Sequence, residues 1–308
     1  MPIPLLILSR SAIGLVMLLL TWGIIAPGCM TFRIDDDKAV NQFRKNGVEL
    51  RTYTAKVEGR NLHFVETGDT AKPILFFVHG TPGSWSAFGD YLKDPVLLSR
   101  YHMISIDRPG FGYSDFGQAE NLARQSELIS PLLRKLSGGK PLYLVGHSLG
   151  GPMIVKLAAD NPQYVMGLVI ISGSIDPDAE KPEKWRPVLY STPLNLLVPG
   201  AFKPSNVELW YLKKDLRLME RDYAKVTCPV YFIHGRKDTW VPPSNVDYGM
   251  RQLSHSQRID TLFLEEGNHF IPFNAFNTVR DKLSVIDDIY NPMALQRARK
   301  DSTIGSHQ

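Results

Sequence analysis

The sequence predicts an α/β chain in which a mostly parallel sheet is covered by helices on both faces and interrupted once by a helical insertion. Three observations predict it. Short apolar runs recur along the chain and end in Gly, His, Ser or Asp. Helical patterns lie between them, which is the alternation of a parallel sheet with crossover helices. The alternation then fails over residues 174–226, where no strand pattern is found.

The N-terminus differs in kind from the rest. No charged residue lies between Arg10 and Arg33, and Ser11 to Ala26 reads SAIGLVMLLLTWGIIA. Positive charge before the run and Asp35-Asp36-Asp37 after it give the layout of an export signal or N-terminal anchor. The run is close to the roughly 20 apolar residues a spanning helix needs. It ends Ala26-Pro27-Gly28-Cys29, which resembles a bacterial lipoprotein processing site with Cys29 as the lipidated residue. Ala26 and Pro27 are not the favoured residues before such a cysteine. An uncleaved anchor, a cleaved signal and a buried core helix therefore stay open beside lipidation. Lipidation, an anchor or a cleaved signal would each place the domain outside the cytoplasm, in a bacterial periplasm or cell envelope, and the first two would tether it to the membrane.

Residues 30–50 read as a helix-prone lead-in. Arg51–Val57 and Asn61–Glu66 read as a hairpin turning at Glu58-Gly59-Arg60. Six central strands follow: Pro73–Val78, His102–Ile106, Pro141–Val145, Val165–Ile171, Val230–Ile233 and Thr261–Leu264. Short runs apolar on both faces mark strands buried on both sides. Leu122–Leu136 and Gly151–Ala159 have helical periodicity. In the insertion, Leu209, Leu212, Leu216, Met219 and Tyr223 are at helical spacing and predict a cap helix. The domain plan is therefore leader 1–29, lead-in 30–50, core 51–173, cap 174–226, core 227–290 and a fraying tail 291–308.

Composition excludes several classes. The chain has 308 residues, 44% apolar and 21% charged, enough for one large core. Its net charge of +4 is spread thinly, with no basic block interleaved with aromatics, so nucleic acid is not expected as a partner. Two cysteines, Cys29 and Cys228, with no Cys/His cluster at ligand spacing, predict neither a disulfide framework nor a metal site. No organic cofactor is expected.

The sharpest chemical signal is Gly146-His147-Ser148-Leu149-Gly150-Gly151. It closes an apolar strand and opens a helix. A sharp turn there would hold the serine strained and exposed, with glycines on either side keeping the elbow clear. The helix N-terminus would favour negative charge at the site. The competing reading is a structural glycine turn with an idle serine.

With three further motifs in the same order, the chain resembles the α/β-hydrolase superfamily over residues 51–290. His79-Gly80-Thr81-Pro82-Gly83-Ser84 follows a central strand where the family has its oxyanion loop. Val230–Asp238 (VYFIHGRKD) resembles the late strand that ends in the acid. Glu265-Glu266-Gly267-Asn268-His269-Phe270 resembles the loop that delivers the histidine. The resemblance implies Ser148 as nucleophile, His269 as general base and Asp238 as its orienting acid. It implies the N–H groups of Thr81 and Leu149 as the oxyanion hole. Asp107, Asp115 and Asp176 stay open as alternative acids. The Asp107–Ser114 loop (DRPGFGYS) resembles a family loop and is read as structural. Of the eight histidines, His79 and His147 are read as loop braces. His234 is placed near Asp238, and His63, His102, His255 and His307 are read as structural or surface. Trp85 and Phe88 are candidates for the pocket mouth, and Trp185, Trp210 and Tyr211 for the underside of the cap; core packing is the competing reading for each.

The expected substrate is a small or medium carboxylic ester processed through an acyl-enzyme. Serine at the elbow argues against epoxide hydrolase and haloalkane dehalogenase chemistry, which in relatives uses aspartate there. A proline-type aminopeptidase, which would need cap carboxylates such as Glu180, Glu183, Glu208 or Glu220, stays open. So do a carbon–carbon bond hydrolase, a cofactor-free haloperoxidase, an acyltransferase and a non-catalytic binding module on the same scaffold.

Overall fold

A computed structural model describes residues 10–191 and 193–291. The expectations for the first nine residues and for most of the tail, His307 included, lie outside the described residues. Helix α1 (Arg10–Ile25) leads through a helical turn at Ala26–Gly28 to α2 (Asp36–Lys45), which the Asp35 side chain caps by accepting from Lys38 N–H. Strands β1 (Arg51–Val57) and β2 (Arg60–Thr67) pair antiparallel through Glu58 and Gly59, both at positive φ.

The core follows the strand–helix alternation read from the apolar runs. It comprises β3 (Ile74–Val78), α3 (Pro95–Leu98), β4 (His102–Ile106), α4 (Leu122–Ser137), β5 (Leu142–His147), α5 (Gly150–Asp160) and β6 (Gly167–Ile171). The cap holds α6 (Arg186–Ser191), a helical turn at Pro193–Leu197 and α7 (Phe202–Met219). The chain then returns to the sheet with β7 (Val230–Gly235), α8 (Ser244–Gln252) and β8 (Ile259–Leu264). It finishes the described core with α9 (Ile271–Asn274), α10 (Phe276–Ser284) and α11 (Ile286–Tyr290).

The eight strands form one sheet in the order β1-β2-β4-β3-β5-β6-β7-β8, parallel from β4 to β8. The chain runs from β3 outward to β4 and then returns to β5 on the other side of β3. The carboxyl ends of β3 and β5 therefore flank a point where successive connections diverge, which is where open α/β sheets bind ligands. The centre of the sheet is buried on both faces because strands such as β3 (ILFFV) and β6 (GLVII) are apolar at every position. Alternate residues divide cleanly: Ile74, Phe76, Leu144 and Ile170 join one core, while Leu75, Phe77, Val145 and Val169 join the other.

That division corrects one expectation. Trp85 and Phe88 lie in the second core, packed with Phe43, Phe77 and Tyr91, and do not reach the pocket. Trp85 N–H donates to Asp107 Oδ1 and its carbonyl accepts from Ser105 Oγ, which turns the loop inward. Trp210 is also displaced from its expected place: it is half-buried on α7 and is not part of the cavity wall. Tyr211 is exposed beside a separate small cavity. The side of α7 that packs downward carries Leu212, Leu216 and Met219, at the spacing read from the sequence.

Among the described residues, no helix is long and apolar enough to cross a membrane. Helix α1 is nonetheless apolar all round, with Leu15, Met17, Leu18, Leu20 and Ile24 each more than half exposed. Its far end is fixed to the cap. Trp22 Nε1 donates to the Leu197 carbonyl, and the carbonyl of the fully buried Ala26 accepts from Gly200 N–H. Cys29 is half-buried with a free thiol.

Candidate active site

Ser148 sits between β5 and α5 with φ of +55°, in the left-handed region that costs a serine about 1–2 kcal/mol. The surroundings hold it there. Ser148 N–H donates to the Ile171 carbonyl and its own carbonyl accepts from Gly151 N–H. The two flanking glycines are dictated by contact: a Cβ on Gly146 would lie 2.3 Å from the Gly150 carbonyl oxygen, and one on Gly150 would lie 2.2 Å from that of Val78. Any side chain at either position would push the elbow apart and move the serine away from the β3 loop.

Asp238 follows β7 and His269 follows β8. The His269 Nδ1–H donates to Asp238 Oδ2 at 2.9 Å, while Asp238 Oδ1 accepts from the N–H groups of Trp240 and Val241 at 3.0 and 2.8 Å. Burial opposes ionisation of Asp238, but the hydrogen bonds from His269 and Val241 outweigh it and lower its pKa. A carboxylate held at Nδ1 fixes the tautomer and leaves Nε2 as the proton acceptor. His147 donates from Nε2 to the His269 carbonyl at 2.9 Å and steadies that loop. Burial, and then the neighbouring His269, push its pKa down to about 3, so it stays neutral. Ser148 and His269 line the same cavity.

The alternative acids are committed elsewhere. Asp107 accepts from Trp85 N–H, Tyr113 N–H and the His63 ring. Asp115 binds Arg60 and Asn61. Asp176 accepts from Asp178 N–H within its own turn. His63 and His102 hold structural places, the first between Asp107 and Asp36 and the second against Glu66. His234 donates to the Val241 carbonyl and lies 3.6 Å from Asp238, close to where it was expected.

Thr81 and Leu149 border the same cavity, and among the described residues their N–H groups have no acceptor. Two such donors, beside a serine at a helix N-terminus, are suited to a developing oxyanion; each can be worth about 3 kcal/mol in the transition state. The cavity has a volume of about 970 Å³; its cap side carries Leu189, Leu197, Val198, Phe202, Leu209 and Leu212, with Glu180, Lys181, Glu183, Arg186, Ser205 and Asn206 also on its lining. Trp185 borders this cavity, and Arg186 lies over its ring. Among the described residues no group of His, Cys, Asp or Glu could hold a metal ion.

Residues 73–197 match the family model described as the alpha/beta hydrolase fold. The chain has the α/β-hydrolase fold and over this stretch is similar to that superfamily. Epoxide hydrolase 4 of Mus musculus is 28% identical over 119 residues, covering 38% of this chain and 33% of that protein. The match thus spans about a third of that relative's length. The 2-hydroxy-6-oxononadienedioate/2-hydroxy-6-oxononatrienedioate hydrolase of Cupriavidus pinatubonensis is 25% identical over 234 residues, covering 63% and 78%. Among solved structures, a membrane phospholipase A described as a bacterial virulence factor superimposes with a TM-score of 0.59. That neighbour is 19% identical, with 92% of this chain and all of the other covered.

Within this α/β-hydrolase fold the cap carboxylates are mostly spoken for. Glu208 pairs with Arg108, Glu183 with Arg186 and Glu220 with Arg217. Glu180 borders the cavity with its carboxyl against Ser174 Oγ; burial raises its pKa, which disfavours a carboxylate waiting for an ammonium ion. Sequence reasoning missed Trp240, which is 68% exposed and stands over the His269 ring at 5.4 Å. Its signal was its position two residues after Asp238. It also missed the wall formed by 194–199, a short turn that carries no periodic signal and packs against both α6 and α1.

Proposed function

We propose that the protein is a serine hydrolase that cleaves a carboxylic ester bearing an apolar acyl chain, held against a lipid surface by α1. The observation that carries this reading is the placement of Ser148 and the Asp238-oriented His269 on one cavity whose cap wall is mostly aliphatic. Ser148 Oγ attacks the acyl carbonyl carbon while His269 Nε2 takes its proton, and Asp238 stabilises the imidazolium that forms. The N–H groups of Thr81 and Leu149 meet the charge on the carbonyl oxygen. Collapse releases the alcohol with the proton from His269. Water, deprotonated by the same histidine, then frees the acid and Ser148.

The apolar wall favours an alkyl or acyl chain over a free amine, and the committed carboxylates weigh against an aminopeptidase. The tether follows from the same wall. Helix α1 exposes aliphatic side chains all round, which is unfavourable in water, and its Trp22 is bonded to Leu197 of the cavity. Because Ala26 is fully buried and bonded to the cap, we favour retention of the segment over cleavage before Cys29. The working site would then be the outer face of a bacterial membrane.

The experiment is a series of p-nitrophenyl esters from acetate to dodecanoate, with a vinylogous diketone and a proline anilide beside them. The reading expects kcat/KM to rise as the acyl chain lengthens, by about fourfold per methylene, since each buried methylene is worth about 0.8 kcal/mol. Turnover of the diketone alone would favour carbon–carbon cleavage. Turnover of the anilide alone would favour an aminopeptidase.

A further inference from the structure

Arg108 at the end of β4 is fully buried, and all of its guanidinium donors are used. Nη1 donates to Glu208 Oε1 at 2.6 Å and to Gln125 Oε1 at 3.0 Å. Nη2 donates to Glu208 Oε2 at 3.0 Å and to the Gly80 carbonyl at 3.1 Å, and Nε donates to the His79 carbonyl at 2.9 Å. Glu208 belongs to α7 of the cap and is itself buried. One side chain therefore joins the cap helix to the two residues that precede Thr81.

The His79 ring completes the arrangement. Its Nε2 accepts from Arg108 N–H at 3.0 Å, so the proton is on Nδ1, which donates to the Gly80 carbonyl at 2.6 Å. Burial, and then the charge of Arg108, hold its pKa well below the ordinary value, so this tautomer persists. The Gly80 carbonyl thus accepts from two donors on one side. In a planar trans peptide the N–H points opposite to the C=O. Fixing the Gly80 carbonyl against Arg108 and His79 therefore turns the Thr81 N–H away from them. Gly80 itself abuts the nucleophile: a Cβ there would lie 2.9 Å from Ser148 Cβ.

We propose that Glu208 and Arg108 are positioning residues that set the Thr81 N–H for the oxyanion, so that the seating of the cap governs the rate of the chemical step. This rests on the serine-hydrolase reading. Without Glu208 the guanidinium is a buried cation lacking its counter-ion, and it must shift or draw in water. Either movement releases the Gly80 carbonyl and lets the Gly80–Thr81 peptide rotate.

The test uses full-length Glu208→Ala and Glu208→Gln, with a p-nitrophenyl ester, a fluorophosphonate and a trifluoromethyl ketone that forms an oxyanion adduct. The proposal expects kcat to fall about 10- to 100-fold in Glu208→Ala and less in Glu208→Gln, with KM within about twofold. The affinity for the trifluoromethyl ketone should fall by the same factor as kcat, and the affinity for the carboxylic acid product should hold. A rise in KM at unchanged kcat would overturn the proposal, because the pair would then shape the pocket and not the oxyanion site. Unchanged kcat and KM in folded variants would overturn it too, as would failure of both variants to fold, which would make the pair purely structural. If wild-type protein forms no fluorophosphonate adduct at Ser148, the serine-hydrolase reading itself fails, and that outcome is independent of Glu208.

Discussion

Asp238 illustrates how one side chain can be fixed by its own backbone and still serve another residue. One carboxylate oxygen is saturated by the N–H groups of Trp240 and Val241, which leaves the other for His269. Asp238→Asn preserves the shape but presents an amide that can donate to Nδ1 and so select the wrong tautomer. Turnover of a p-nitrophenyl ester should fall by about four orders of magnitude with KM little changed. The same variant should alter acid stability. The lowered native pKa means that ionised Asp238 stabilises the fold above its ordinary value of 3.8, and that this contribution is lost as pH falls through the lower native value. Thermal melts between pH 5 and 2 should therefore show a shallower loss of stability in Asp238→Asn than in wild type. An active variant with wild-type turnover would mean that His269 is oriented by another group.

At the scale of elements, legibility depended on whether a residue's neighbours were close in sequence. Ser148, Asp238 and His269 could be read because each follows an apolar strand run within a few residues. The α7 face could be read because its period is local. Trp85 and Phe88 were misplaced because an i, i+3 aromatic pair after the oxyanion loop fits a pocket mouth as well as a buried helical turn. Only the Asp107 contact, 22 residues away, decides between them. The Arg108–Glu208 pair spans 100 residues, and neither partner carries a local signal. Helix α1 was legible as apolar, but its attachment to Leu197 and Gly200 was not. That attachment makes a prediction. Full-length protein should co-float with liposomes, and a Leu18→Lys/Leu20→Lys variant should float far less while hydrolysing soluble p-nitrophenyl acetate at the wild-type rate. Both side chains point to solvent and neither borders the cavity. Equal flotation of the two proteins would remove α1 from the account of the tether.

For the whole molecule, the sheet gathers the reactive groups without any of them being adjacent in sequence. β3 delivers Thr81, β5 delivers Ser148, and β7 and β8 deliver Asp238 and His269, all from the carboxyl ends of parallel strands and so at one edge of the sheet. The cap closes the space above them with an aliphatic wall, and α1 is bonded to that wall. The central claim is that Ser148 is the nucleophile. It is tested most directly by intact and peptide mass spectrometry after brief exposure of the full-length protein to a fluorophosphonate, with Ser148→Ala treated in parallel. The account predicts one adduct per chain, on the peptide that contains Ser148, and none in Ser148→Ala. Equal labelling of both proteins, or an adduct on any other residue, would contradict it.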